Sequence, residues 1–497
     1  MSRAAGYVLG IDVGTSGVKV LAIAGDGSMA GDGAAPLPAP LADRDRREQD
    51  ADLWWSAVRS AVAMAVARLR ARGGDPAGIE ALAVDATSGT IVAVDEALSP
   101  LRPALMYDDA RGGEQAIRLN EAGGPVLARL GYRFNASFAL PKILWMHEHE
   151  PRVVERTACF LHQADLVVAR LAKLRSPRAC VTDESNALKT GFDLAGGAWP
   201  DYLDRVGVDR DRLPRVVATG QTIAHVDRSV AAALGLPARC RIVAGMTDGT
   251  AAAVASGARE AGDACTTLGT TTVWKIVAAH PVSDLAGRLY SHRHPGGAFL
   301  AGGAGNAGGA GIRALVAHGA PDAEGELARL SATLSPGPPS GTLSYPSPAP
   351  GERYPFVDPA FQPFHLATPD RALLYRSCLE GLACIERWGY EVAASLGARC
   401  HGPVWTAGRG AQHEEWMRLR AGFLDRPVCR AACPESAFGA AMVAAMEAWF
   451  DGSWPETTRL VRKAFEAEPD AAHRAACQGQ YAAFRAACAA ATHATAP

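Results

Sequence analysis

Apolar and polar positions alternate along residues 8–12 and 18–23, the period of a half-buried strand, and the two runs flank Gly14-Thr15-Ser16-Gly17. Asp26-Gly27 follows as a second hairpin signal, so three antiparallel strands are predicted to open the chain. The period then changes. Trp54, Trp55, Val58, Val62 and Val66 recur at mostly helical spacing over residues 53–72, with Asp52 as the predicted N-cap and the tryptophans as core. Residues 79–85 read as a short apolar strand running into Ala86-Thr87-Ser88-Gly89-Thr90, and residues 91–94 as another strand. Helices are predicted over 137–150, 164–174 and 371–397, a loop over 182–193, and a long Pro- and Gly-rich surface connection over 335–363.

The densest stretch is residues 243–277. A strand-like Val243-Ala244 meets Gly245, and Asp248 then opens an Ala-rich segment of high helix propensity, which puts its carboxylate in the first helical turn. Two Thr- and Val-rich runs, 264–268 and 271–277, meet at Gly269-Thr270 and predict a hairpin whose turn has bare amides able to hold a phosphate. That turn has a twin: Gly14-Thr15-Ser16-Gly17-Val18 matches Gly269-Thr270-Thr271-Thr272-Val273 as G-T-x-x-V, about half the chain away. The repeat implies two similar domains facing one ligand, each with its own phosphate loop. Further on, a predicted strand at 404–407 stops at Gly408-Arg409-Gly410-Ala411-Gln412 before a helix through Trp416, Leu419 and Phe423. Strand, glycine turn, helix can cradle a nucleotide, although a plain turn would need the same glycine. An Ala-rich helix with close packing at Gly439 is predicted to start near Glu435.

Composition narrows the class. The 497 residues allow two to four domains, and 48% hydrophobic with 21% charged residues describes a globular protein. A net charge of −2 gives no electrostatic case for nucleic acid or an anionic membrane. Asp12 and Lys19 break the first apolar run, so neither a membrane span nor a signal peptide is expected, and the protein is expected to be cytoplasmic. Eleven cysteines lie scattered without a C-x-x-C pair, which points to reduced, buried thiols rather than a metal site.

The remaining motifs differ in weight. In P-A-L-M-Y-D-D-A-R, residues 103–111, adjacent acids on an extended segment face opposite ways, so one of Asp108 and Asp109 should point into a pocket. Gly303-x-Gly305-x-x-Gly308 fits the dinucleotide fingerprint, but a run this rich in Gly and Ala matches easily and no βαβ pattern surrounds it. His147-Glu148-His149 lacks the spacing of a zinc helix, and no G-x-x-x-x-G-K-[ST] is present.

Taken in order, residues 12–18, 103–111, 245–248, Gly269-Thr270, 306–309, Gly351-Glu352-Arg353-Tyr354-Pro355, 408–412 and 435–441 resemble the FGGY carbohydrate kinases over nearly the whole chain. The resemblance implies an α/β, two-domain actin-like ATPase (ribonuclease H-like) fold. Each domain would be a mixed sheet flanked by helices, residues 1–260 and 261–497, with a cleft between them. It implies that Gly14, Thr15 and Ser16 with Gly269 and Thr270 hold the phosphates of ATP, and that Gly309, Gly408, Arg409 and Gln412 lie along the nucleotide. Asp12 would position Mg²⁺ through water, Asp248 would be the catalytic base, and Ser88 and Asp109 with Asp248 would hold the sugar. At an ordinary pKa near about 4, such a base is ionised at neutral pH. Residues 85–90, M-Y-D-D-A-R and T-L-G-T-T-T look most like the D-ribulose kinases. The xylulose and glycerol kinases usually carry W-N-D or W-Q-D, where this chain has Tyr107 and Asp108. D-xylulose, L-ribulose, ribitol and glycerol are the alternative substrates. A sugar- or nucleotide-binding regulator and an actin- or chaperone-like ATPase are the alternatives of another class. A monomer and a homodimer fit the sequence equally.

Overall fold

The computed structural model describes residues 6–335 and 337–491. β1 (Tyr7–Val13), β2 (Gly17–Ala24) and β3 (Met29–Pro36) form the antiparallel meander that the alternation predicts. α1 (Ala51–Ala71) packs its alanine face on β3, where a Cβ on Gly31 would stand 2.6 Å from the Ala65 carbonyl oxygen. Its N-cap is Asp50, not Asp52: Asp50 is extended and accepts from the Asp52 amide, which leaves Asp52 in the first turn. Trp54, Val58 and Val62 are fully buried beneath this helix, as its spacing requires.

β4 (Ile79–Ala86) lies parallel to β1, and β6 (Arg241–Thr247) parallel to β4, with β5 (Thr222–His225) antiparallel at the edge. The sheet runs β3-β2-β1-β4-β6-β5. α2 (Ala139–His149) and α3 (Asp248–Ser256) follow. The loop predicted at 182–193 is instead a three-residue strand and two short helical turns, because Asp183 caps the segment by accepting from the Ser185 and Asn186 amides.

A second sheet is built from β7 (Ala264–Leu268), β8 (Thr272–Ala278), β9 (Phe299–Ala304), β10 (Val404–Ala407), β11 (Val428–Ala431) and β12 (Lys463–Ala467). Its order is β9-β8-β7-β10-β11-β12, with one short strand outside β9. The directions repeat those of the first sheet strand for strand: antiparallel at β9/β8, β8/β7 and β11/β12, parallel at β7/β10 and β10/β11. The twin G-T-x-x-V turns therefore sit at equivalent places, the first hairpin of each sheet. α4 (Gly309–Val316), α5 (Ala323–Thr333), α6 (Arg371–Ser395) and α7 (Glu414–Leu424) flank this sheet. Because β9 runs antiparallel to β8, the Gly303–Gly308 run lies outside any βαβ unit.

Two differences from the sequence reading stand out. Over its described part, 337–363, the connection is irregular but not superficial: Tyr345, Tyr354 and Phe361 are fully buried, and Tyr345 stacks on Phe484 at 5.9 Å. Its proline and glycine content sets the backbone, while its aromatics supply core. The units also do not divide once. Among the described residues, the first comprises 6–255 with His292–Gly297 and Glu435–Val461, and the second the rest. The return is made by α8 (Ser436–Trp449), almost wholly buried in the first unit. It crosses β1 at Gly10, where a Cβ would stand 2.5 Å from the Ala441 amide nitrogen, and Gly439 meets the Ala251 backbone as closely. Two such duplicated mixed sheets with flanking helices are the actin-like ATPase fold. Ten of the eleven cysteines are buried, and all are thiols rather than disulfides. Among the described residues, no helix is long and apolar enough to cross a membrane.

Candidate active site

In the first unit, three acids gather because three neighbouring parallel strands end together. Register pairs Asp12 of β1 with Asp85 of β4, and Asp85 with Met246 of β6, two residues before Asp248 opens α3. The carboxyl ends of parallel strands are where α/β sheets place ligands. Burial, and then the charge of Asp248, push Asp12 up to about 7. Burial followed by Asp12 and Asp248 pushes Asp85 well above the usual carboxylate range. Asp248 itself is only part-buried, and its Oδ1 takes the Gly249 amide at 2.6 Å.

This acidic crowding also tests the fit of a metal. Among the described residues, no three His, Cys, Asp or Glu side chains are grouped to hold an ion directly. Mg²⁺ needs only one or two protein carboxylates, the rest of its shell being water and phosphate, and a dication relieves repulsion of the kind that raises Asp12. Asp12 thus fits as a ligand reached through water.

Each hairpin turn is closed through the amide of its first glycine. The Gly14 amide donates to the Gly17 carbonyl (3.0 Å) and the Gly269 amide to the Thr271 carbonyl (3.1 Å), which fixes each turn. Among the described residues, no hydrogen bond uses the amides of Thr15, Ser16 or Thr270. The second turn is also tied to α4, since the Gly309 and Ala310 amides donate to the carbonyls of Gly269 and Thr270 at 2.9 and 3.0 Å.

The second unit holds a cavity of about 800 Å³ with an amphipathic lining. Gly269, Thr270, Gly309, Gly408 and Arg409 contribute backbone and charge, while Leu327, Tyr375, Leu379, Leu382 and Trp416 contribute apolar surface. Gly408 has φ +83°, and a Cβ there would run into the Leu268 carbonyl, so this turn requires glycine. Arg409 is 95% exposed and stands 3.9 Å from the Glu324 carboxylate. Gln412 is not among the lining residues; its amide oxygen accepts from Arg430 at 3.4 Å.

Near the acids, the hydroxyl-rich turn after β4 offers one unused group. Thr87 Oγ1 pairs with Thr90 Oγ1 and Gln163 Oε1, both at 2.6 Å, whereas Ser88 Oγ is buried without a partner among the described residues. The strip after Ala104–Leu105 is a turn rather than extended chain, closed by the Asp109 amide on the Met106 carbonyl at 3.0 Å. The two acids differ in burial. Asp109 is fully buried, and its carboxylate already takes the Arg47 amide (2.8 Å) and Arg111 Nη2 (2.7 Å). Asp108 and Tyr107 stand exposed. Burial, then the charges of Asp108 and Asp248, push the Tyr107 phenol up.

Sequence reasoning missed two groups. The apolar lining from α5 and α6 has no local signal, because each leucine there reads as ordinary core. Lys142 had one: it is the single charge in the otherwise apolar A-L-P-K-I-L-W-M run, and it is fully buried.

A duplicated actin-like sheet, each copy carrying a Gly-Thr hairpin, one with an acidic strand-end cluster and the other with a roomy amphipathic cavity, has the parts of a phosphotransferase. The chain belongs to the FGGY family of carbohydrate kinases: the model of the family's N-terminal domain matches residues 7–255 and that of its C-terminal domain residues 264–448. It is 26% identical over 458 residues to a xylulose kinase of Bacillus subtilis (strain 168), covering 91% of this chain and 89% of that protein. The crystal structure of xylulose kinase from Rhodospirillum rubrum matches with a TM-score of 0.85 at 26% identity, over 97% of this chain and 98% of that one. A Brucella ovis structure described as a xyloylose kinase shares the fold at a TM-score of 0.87 and 22% identity, over 97% and 99% of the two chains.

Proposed function

We propose that this carbohydrate kinase transfers the γ-phosphate of ATP to the primary hydroxyl of a ketopentose, with D-ribulose as the first substrate and Asp248 as the base. The observation that carries the reading is the position of Asp248, part-exposed at the first turn of α3, next to the strand ends that carry Asp12 and Asp85. Phosphoryl transfer asks little covalent chemistry of a protein, so positioning and charge stabilisation supply most of the rate. Asp248 accepts the hydroxyl proton as the oxygen attacks phosphorus and the bond to the ADP oxygen breaks. Ser88, with its unused hydroxyl, and the strip around Asp109 hold the acceptor. The lining of the second unit's cavity takes the nucleotide, and the amides of Thr270 and of Thr15 and Ser16 take phosphate oxygens. Mg²⁺, when bound, neutralises phosphate charge, and Asp12 holds it through water. Replacing Asp248→Asn should leave folding intact and remove at least about two decades of turnover. Near-wild-type turnover in that variant would end the assignment.

D-xylulose is the second reading, favoured by the names of the relatives at 26% identity. Tyr107 and Asp108, where xylulose kinases usually carry tryptophan and an amide, favour D-ribulose. A panel of D-ribulose, D-xylulose, L-ribulose, ribitol, glycerol and gluconate in an ADP-coupled assay decides by kcat/KM. ATP hydrolysis indifferent to every sugar would instead support a nucleotide-driven binding protein.

A further inference from the structure

Lys142 is a fully buried lysine that no step above uses. Its Nζ lies 2.7 Å from the Met106 carbonyl oxygen, 3.0 Å from Gly89, 3.1 Å from Tyr107 and 3.3 Å from Ser137. An ammonium has three N–H groups, so three are satisfied outright and the fourth contact shares a proton. The acceptors come from three separate segments: the turn after β4, the 106–109 turn and the chain entering α2. Two of these are the segments that present Ser88, Tyr107 and Asp108. Gly89 presses on the third, since it has φ +89° and a Cβ there would run into the Ser137 carbonyl.

We propose that Lys142 is a positioning residue for the acceptor sugar: its ammonium clamps the 86–90 and 106–109 turns in the shape that presents Ser88, Tyr107 and Asp108. The inference rests on the reading of those turns as the sugar's contacts. A purely structural origin explains the geometry less well, because a methionine would fill a similar volume without the desolvation of a charge. What methionine cannot do is donate to four converging carbonyls.

The clamp also has a built-in pH dependence. The charged and titratable groups facing Nζ are Asp109, Asp108 and Arg111 from the 106–111 strip, Lys189 from the segment beyond, and His162. Burial pulls the lysine down to about 7, against the attraction of Asp109. His162, pushed down by burial to about 3, stays neutral throughout. Above about 7 the amine loses a donor and the charge that strengthens its bonds, so the turns loosen. Global stability moves the other way. With the folded value at about 7 and the unfolded value at the ordinary 10.5, the unfolded chain binds more protons between them, and stability from this group rises with pH there.

The test compares wild type with Lys142→Met. The expected result is a sugar KM raised about tenfold or more, with the KM for ATP within about twofold of wild type. Faster amide exchange should appear at residues 86–91 and 105–110 in the free protein. If the variant fails to fold, wild type alone answers: exchange at those amides, corrected for intrinsic rate, and the sugar KM should rise between pH 7 and about 9 while the KM for ATP stays level. Unchanged sugar KM and unchanged exchange in the variant, or a flat wild-type profile for both, overturns the clamp. Should no sugar be phosphorylated, the kinase assignment fails separately, and amide exchange still decides whether Lys142 fixes the turns.

Discussion

A buried ion pair in the second unit offers the sharpest quantitative test of how the two glycine turns lining its cavity are held. Arg420 of α7 is fully buried and donates through Nε and Nη2 to Glu386 of α6, at 2.8 and 2.6 Å, and through Nη1 to Thr406 Oγ1 at 2.9 Å. Glu386 in turn accepts from Thr266 Oγ1 at 2.5 Å, and Thr266 pairs with the Tyr390 hydroxyl at 2.6 Å. Thr266 lies on β7 two residues before Leu268, and Thr406 on β10 two residues before Gly408, so the network anchors the strands that end in the Gly269-Thr270 and Gly408-Arg409 turns. Arg420→Met leaves the Glu386 carboxylate buried and without its countercharge, with only the Thr266 hydroxyl donating to it. Breaking one side of a buried pair destabilises by about 3–5 kcal/mol, and we expect that loss here. The double variant Glu386→Leu/Arg420→Met removes both charges and should fall short of the summed single losses by on the order of 2 kcal/mol. Native-state hydrogen exchange at the α6 and α7 amides reads the second unit without requiring the whole chain to unfold in one step. The KM for ATP should rise in the single variant while the sugar KM holds. A single-variant loss below about 1 kcal/mol, or strictly additive losses in the double variant, would refute the reasoning.

Other expectations follow from single atoms. Ser88→Ala removes a hydroxyl that bonds nothing in the described protein, so thermal stability should hold while the sugar KM rises by roughly five- to tenfold; an unchanged KM across the sugar panel would remove Ser88 from the site. Gly10→Val places side-chain atoms where the α8 backbone already lies, and should cost at least about 2–3 kcal/mol in thermal or urea unfolding; a stable variant would contradict the packing of α8 on β1.

How much of this was legible beforehand depended on range. The opening meander, the helix at Ala51–Ala71, the Asp248 helix start and both Gly-Thr hairpins were readable because their signals repeat within a few residues. The N-cap shifted from Asp52 to Asp50 because two acids of equal capping propensity lie two residues apart and only the backbone angle chooses between them. The 335–363 segment reads as surface because proline and glycine describe the path of the backbone, whereas the burial of Tyr345, Tyr354 and Phe361 is set by the fold.

The sequence by itself determined the strand and helix periods, the duplicated turns and the acids placed at element ends, since these depend on neighbours along the chain. Tertiary structure alone decided that Glu435–Val461 returns to the first unit, that Asp109 is neutralised by Arg111 while Asp108 stays exposed, and that four carbonyls from three segments converge on Lys142. The reason is physical. A buried charge is tolerated only where distant segments bring it partners, and no window of sequence contains segments that meet only in the folded chain.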